Sequence, residues 1–179
     1  MPAADAQKAA LRQRIGAARR ERTPEQIAAA RAAVRAAVLH RRAEAGWACV
    51  AAYVPLRTEP GSVALLEELA AAGVRVLVPV LLPDRDLDWQ EWPEGPLLGV
   101  EEVRTADAVL VPALAVDRAG IRLGRGGGSY DRVLARLDAA APIAALLFDG
   151  EVLSEVPREP WDRPVTAVVT PGGWQDVRP

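Results

Sequence analysis

Short apolar runs alternate along this chain with helix-patterned segments, and that alternation restricts the fold more than any other feature. The runs Trp47–Val54, Val74–Leu82, Ala108–Ala115, Ile143–Phe148 and Val165–Thr170 are rich in valine, leucine and alanine and carry few polar residues. A strand apolar on both sides has to be covered on both sides, which predicts parallel pairing with helices on each face. Between the runs lie helical segments at Ser62–Ala72, stopped by Gly73, and Ser129–Leu137. Two more helices precede the first run. Residues 5–21 are alanine- and arginine-rich, with no breaker before Thr23-Pro24. Thr23-Pro24-Glu25-Gln26 then reads as a capping box, with Ile27, Ala30, Val34, Ala37 and Val38 at helical spacing up to about Ala45 and Gly46 as the stop. Pro79 is expected to interrupt the second run and Pro112 to bend the third. Residues 83–96, polar apart from Trp89 and Trp92, suggest a short strand or hairpin. The expectation is one α/β domain over residues 1–179, a Rossmann-like three-layer α/β/α arrangement around a mostly parallel sheet. Such sheets bind ligands at the carboxyl ends of their strands.

Composition removes several classes of function. A net charge of -2 creates no basic field, so neither nucleic acid nor an acidic membrane is an expected partner. Cys49 is the only cysteine and His40 the only histidine, which excludes an intrachain disulfide and a zinc site of His and Cys ligands. A Ser-His-Asp triad would have to use His40, which lies in a predicted helix. No apolar run is long enough to span a bilayer, and the first residues lack an apolar signal core, so a cytoplasmic protein is expected. Lys8 is the one lysine among 22 basic residues. Either it is a leftover surface residue or it sits where a compact ammonium is needed and a planar guanidinium does not fit. Trp47 and Trp174 read as packing residues, and Cys49 as a small buried hydrophobe.

The third run leads into Ile121-Arg122-Leu123-Gly124-Arg125-Gly126-Gly127-Gly128-Ser129-Tyr130-Asp131-Arg132, which runs from strand through a glycine turn into a helix start. Glycines there free several backbone N–H groups to converge, and the helix N-terminus adds a partial positive charge. Arg122 and Arg125 flank the turn and can grip phosphate oxygens in bidentate fashion. Asp131 can hold a magnesium ion beside them. The turn is neither a Walker A loop, which needs Lys and Ser/Thr after its last glycine, nor the dinucleotide fingerprint, since Ser129 occupies the third glycine position. The bland alternative is a flexible connector, against which stands the backbone entropy of three consecutive glycines.

The stretch closely resembles the signature of the 5-formyltetrahydrofolate cyclo-ligase family, also called 5,10-methenyltetrahydrofolate synthetases. That signature runs roughly Pro-Gly-Leu-Ala-Phe-Asp, then Gly-x-Arg-Leu-Gly-x-Gly-Gly-Gly-Tyr-Tyr-Asp-Arg. An N-terminal Lys-x-x-x-Arg helix, an early glutamate loop and a late Pro…Asp…Thr segment extend the likeness over almost the whole chain. The resemblance implies an ATP- and Mg2+-dependent ring closure. The formyl oxygen attacks the γ-phosphate, N10 of the folate adds to the activated carbon, and phosphate leaves. Such a reaction asks the protein to orient two ligands and neutralise charge, which suits a chain without an obvious nucleophile.

Residue by residue, the resemblance implies ATP binding by Lys8, Arg12 and the turn Arg122, Leu123, Gly124, Arg125, Gly126, Gly127, Gly128, Ser129 and Tyr130. It implies folate binding by Val54, Glu59, Leu98 and the turn from Arg125 through Ser129. Arg125 and Tyr130 are the implied catalytic groups, and Asp131 and Asp162 the implied magnesium ligands. The i, i+4 spacing of Lys8 and Arg12 puts both cations on one helix face. A carboxylate at Glu59 suits the paired N–H donors of a pterin edge; the alternatives are a solvated loop glutamate there and an ordinary turn aspartate at Asp162. The chain departs from the family at Ser129, where a tyrosine is usual, at Leu98, where an aromatic ring often covers the folate, and at Trp161, where a histidine is usual. Trp89 or Trp92 are candidates to replace the missing ring. A monomer or weak homodimer acting on small molecules is expected. Rival readings are a non-catalytic folate- or nucleotide-binding paralogue and an ATP-independent sugar-phosphate isomerase of similar fold.

Overall fold

The computed structural model describes residues 2–137, 141–159 and 162–177. Helices α1 (Pro2–Arg20) and α2 (Pro24–Ala45) come first. The expected capping box separates them: Thr23 Oγ1 accepts from Gln26 N at 3.2 Å, and Gln26 Oε1 accepts from Thr23 N at 2.9 Å. Strand β1 (Cys49–Ala51), helix α3 (Val63–Ala71), and the hairpin β2 (Arg75–Leu81) and β3 (Leu87–Glu91) follow, then a 3-10 turn at Glu102–Thr105. After these come β4 (Ala108–Pro112), β5 (Ala115–Asp117), β6 (Arg122–Leu123), α4 (Ser129–Arg136), β7 (Ile143–Leu146), β8 (Val152–Leu153), β9 (Ala167–Thr170) and β10 (Gly173–Asp176).

Seven strands form one sheet in the order β10-β9-β7-β4-β1-β2-β3. The pairs within β9-β7-β4-β1-β2 are parallel, while β3 and β10 add antiparallel edges. Alternate residues of each central strand serve opposite faces, as strand periodicity requires. Val50, Val76, Leu110 and Leu146 pack with Val34 and Val38 of α2 and with Leu65, Leu66 and Leu69 of α3. Ala51, Leu77, Val109 and Ala145 pack on the other face with Val133 and Leu134 of α4, together with Trp89 and Val103. The result is the expected mostly parallel α/β arrangement with helices on both faces. Trp47 and Trp174 meet with ring centroids 5.6 Å apart.

The chain differs from the sequence expectation in the third run. Ala108–Ala115 is two strands, because the chain turns after Pro112 and Leu114 N donates to Leu123 O at 2.8 Å. β5 thus enters a second, three-stranded sheet in the order β6-β5-β8. Leu114, Ala115, Ile121 and Leu123 pack there against Ile15 of α1 and Val156. Pro79 does not interrupt β2. Arg75 N and Leu77 O bond towards β1, and that side of β2 is open past the last β1 partner, so the missing N–H of Pro79 costs no ladder bond.

Candidate active site

β1 is followed by strands on one side (β2, β3), after which the chain crosses to β4, β7 and β9 on the other. Strand order therefore reverses between β1 and β4, and the crevice beyond their carboxyl ends is where an open α/β sheet offers a ligand site. A cleft of about 560 Å³ lies there, within the size range of small-molecule sites. Tyr53, Val54, Leu56 and Glu59 after β1, Pro79 and Leu81 of β2, and Pro112 and Ala113 at the end of β4 form its walls. Arg122 through Asp131 form its floor, and Lys8 and Arg12 reach in from α1.

The glycine turn is held from below. Arg12 Nε donates to Gly124 O at 2.9 Å. The Arg122 side chain, almost fully buried, donates to Pro112 O at 3.1 Å and to Asp131 Oδ1 at 2.8 Å. A Cβ on Gly124 would come within 2.8 Å of Arg122 Nη1, so glycine is what lets the turn sit on that guanidinium. Gly128, with φ 75°, caps α4 without any side-chain bond and leaves the first N–H groups of the helix uncapped by a side chain. The backbone thus offers the donors that a phosphate would take.

Every basic group in the cleft except Arg12 already meets a carboxylate. Lys8 Nζ is buried between Asp162 Oδ2 at 2.9 Å and Glu159 Oε2 at 3.0 Å. Burial works against its charge, but hydrogen bonds and Coulomb attraction from Asp162 and Glu159 prevail and raise its pKa. Glu59 is buried: Oε2 accepts from Leu56 N at 2.8 Å and Oε1 from Arg125 Nε at 3.2 Å. It is no solvated loop residue. Burial raises the pKa of the Tyr53 and Tyr130 phenols, so both are protonated at neutral pH. Their hydroxyls, like Arg122 Nε, are buried and have no hydrogen-bond partner among the described residues.

The sequence-predicted residues Lys8, Arg12, Val54, Glu59, Arg122–Asp131 and Asp162 all line this one cleft. Leu98 does not. Its N–H donates to Trp89 O at 2.9 Å and its side chain packs on the core face that α4 covers. The replacement rings are also elsewhere: Trp89 is buried in that core and Trp92 packs against the opposite one. Trp161 lies outside the described residues. Asp131 and Asp162 face the same cleft, each tied to a cation, and no cluster of three His, Cys, Asp or Glu able to hold a metal occurs among the described residues. Mg2+ usually binds through one or two carboxylates with substrate phosphates and water completing its shell, so this donor set fits it as an ion that arrives with a nucleotide.

Sequence reasoning missed Tyr53, Glu159 and Asp5 as cleft residues. Tyr53 was visible as an aromatic at the carboxyl end of a predicted strand, and Glu159 as an acid three positions before Asp162. It also missed the pair Arg19 and Glu151, buried behind the cleft with Nε–Oε1 2.8 Å and Nη2–Oε2 2.7 Å. Asp117, equally missed, accepts from Ala119 N and Ile121 N at 2.9 Å and from Val156 N at 3.1 Å, and so shapes the approach to Arg122.

The sequence model of the 5-formyltetrahydrofolate cyclo-ligase family matches residues 4–171. A 5-formyltetrahydrofolate cyclo-ligase of Mycolicibacterium smegmatis is 45% identical over 141 residues, 68% of this chain and 73% of that one. One from Escherichia coli strain K12 is 33% identical over 141 residues, covering 68% of this chain and 77% of its own. Among solved structures, a 5,10-methenyltetrahydrofolate synthetase from Mycoplasma pneumoniae superposes with a TM-score of 0.81 at 21% identity, over 92% of this chain and 98% of that one. The corresponding protein of Aquifex aeolicus gives 0.75 at 23% identity, over 96% and 93%. These two likenesses establish the fold. With the family match across nearly its whole length and the relative at 45% identity, the chain belongs to the 5-formyltetrahydrofolate cyclo-ligase family.

Proposed function

We propose that this protein closes 5-formyltetrahydrofolate to 5,10-methenyltetrahydrofolate, using ATP and Mg2+ and releasing ADP and phosphate. The observation that carries the reading is the charge pattern of the cleft, where four cations (Lys8, Arg12, Arg122, Arg125) face five carboxylates (Asp5, Glu59, Asp131, Glu159, Asp162). A triphosphate alone would meet as much repulsion as attraction there. Triphosphate and divalent cation together match both sets.

In this reading the amides of Gly126–Ser129, with Lys8, Arg12 and Arg122, hold the triphosphate tail. Phosphate oxygens take over Lys8 and Arg122, which frees Asp162 and Asp131. Mg2+ held by those two aspartates would neutralise charge on the transferring phosphoryl group. Glu59 binds the amino-pyrimidinone edge of the pterin, with Val54 as an apolar wall beside it, and gives up Arg125 to the reacting centre. Arg125 stabilises charge as the formyl oxygen bonds to the γ-phosphorus while the bond from that phosphorus to the bridging oxygen breaks and ADP leaves, and the neutral Tyr130 phenol donates to an oxygen there. N10 then adds to the activated carbon and phosphate departs. One domain over residues 1–179, acting in the cytoplasm as a monomer or weak homodimer, suffices for this chemistry, and among the described residues no helix is long and apolar enough to cross a membrane.

The test is appearance of the methenyl chromophore from 5-formyltetrahydrofolate with ATP or Mg2+ left out in turn. Product only when both are present is expected. Turnover without ATP would overturn the reading, and binding of both ligands without product would make the chain a non-catalytic binder.

A further inference from the structure

Behind the wall made by Arg12 and Arg125 is a second cavity of about 310 Å³. Its lining is unlike that of the main cleft. Arg12, Arg19, Arg20 and Arg125 contribute guanidiniums, Thr58 contributes a hydroxyl, and no acidic side chain faces it. Two of the cations are compensated from outside: Arg19 by Glu151, and Arg125 by Glu59. Among the described residues Arg12 is bound only to a backbone carbonyl. Arg20 is exposed and has no ion pair among the described residues. Arg19 is 2% exposed, and its Nη1 is buried with no partner although Nε and Nη2 are both satisfied. A cavity lined by four arginines and no acid offers its donors to an acceptor oxygen. The floor carries Gly16, a glycine in a helix interior, where propensity disfavours it. With no side chain there, the Arg20 guanidinium lies over the α1 backbone, where a Cβ on Gly16 would stand 3.5 Å from its Nη1.

We propose that this cavity is a second anion site, separate from the triphosphate cleft, that holds an oxyanion group, carboxylate or phosphate, by the guanidiniums of Arg12, Arg19 and Arg20. Two sources supply that chemistry. One is free inorganic phosphate, which needs no particular reaction. The other is a glutamate carboxylate of the folate, an assignment that rests on the proposed function. Arg12 and Arg125 border both cavities, so an anion seated here acts directly on two groups that face the reacting centre.

Direct binding separates these outcomes without requiring turnover. The full chain, wild type and Arg20→Gln, is titrated calorimetrically with inorganic phosphate and, separately, with γ-linked triglutamate. Arg20 lines only the second cavity, so a phosphate bound in the main cleft is insensitive to this change. Loss of one partly exposed cation should weaken the true ligand about five-fold, with Arg20→Lys restoring most of it and with unchanged far-ultraviolet circular dichroism. A shift confined to phosphate identifies free inorganic phosphate as the occupant, and one confined to triglutamate identifies a glutamate carboxylate. Equal affinities of wild type and Arg20→Gln for both probes, or binding of neither probe, would overturn the site. Absence of cyclisation alongside a five-fold shift would remove the proposed reaction and leave the anion site standing.

Discussion

Arg19 and Glu151 meet through two short bonds with side chains only 2% and 5% exposed, whereas Arg125 and Glu59 meet through one bond of 3.2 Å with the arginine half exposed. Both are arginine–glutamate pairs. The first is tied further at each end: Arg19 donates to Ala113 O at 2.7 Å, and Glu151 accepts from Phe148 N at 2.8 Å. It fastens α1 to the end of β4 and to the loop after β7. The second ties the loop after β1 to the glycine turn by a contact that a ligand can replace. A buried pair joined by two bonds acts as a fastening because removing either partner strands the other's charge away from water. A half-solvated pair holds its groups in place only until a better partner arrives.

The largest effect should follow from breaking the fastening. Arg19→Met leaves the buried Glu151 carboxylate with only the longer contact to Arg22 Nη1 at 3.9 Å and should cost about 3–5 kcal/mol of stability. Thermal unfolding would show it as a fall of roughly 10 °C in the midpoint. Adding Glu151→Leu should recover only part of the loss, since Phe148 N then lacks its acceptor. A midpoint unchanged within a degree would show that the pair fastens nothing.

Next comes Glu59→Gln. The amide oxygen can still accept from Leu56 N, so stability should change by less than about 1 kcal/mol. The charged acceptor for the pterin donors is gone, and the Michaelis constant for 5-formyltetrahydrofolate should rise about ten-fold or more with that for ATP unchanged. A stability loss as large as that of Arg19→Met would place Glu59 with the fastenings and erase the contrast between the two pairs.

Gly124→Ala probes the floor beneath the releasable pair. Its Cβ would press on Arg122 Nη1, which the bonds to Pro112 O and Asp131 keep from moving freely. Moving one phosphate-facing guanidinium by a few tenths of an ångström should weaken ATP binding about five-fold. Unchanged ATP affinity in a direct titration would show that Arg122 yields without cost.

These two pairs also mark how far the sequence could be read. Glu59 was legible because it sits in a motif, and the cleft that gathers it with Lys8, Arg12 and the glycine turn follows from strands whose apolar pattern is local. Arg19 and Glu151 are 132 positions apart and belong to no motif, so nothing local announces that either is buried. The same holds for the small sheet. Ala108–Ala115 is uniformly apolar, and only the pairing of β5 with β6 and β8 reveals that it feeds two sheets. Leu98 lies outside the cleft for a related reason. A side chain placed by motif alignment follows its own backbone bonds, and Leu98 N on Trp89 O directs it to the core. Composition left Lys8 between surface remnant and site, and only the resemblance put it at the nucleotide; its burial between Asp162 and Glu159 is a three-body arrangement that composition cannot encode.

The smallest effect should come from Arg125→Lys, the test that most sharpens the contrast. Lysine keeps the charge beside Glu59 but loses the guanidinium that carries the single contact. Solvent already screens that contact, so unfolding free energy should change by less than about 0.5 kcal/mol. Turnover should respond more than stability, because a point charge cannot present two donors to a phosphoryl group. If denaturant unfolding instead showed a loss of several kcal/mol, the glycine turn would depend on Arg125 for its shape. The cleft would then be closed by its own salt bridge, and Arg125 could not be released to a substrate without loosening the turn that binds the nucleotide.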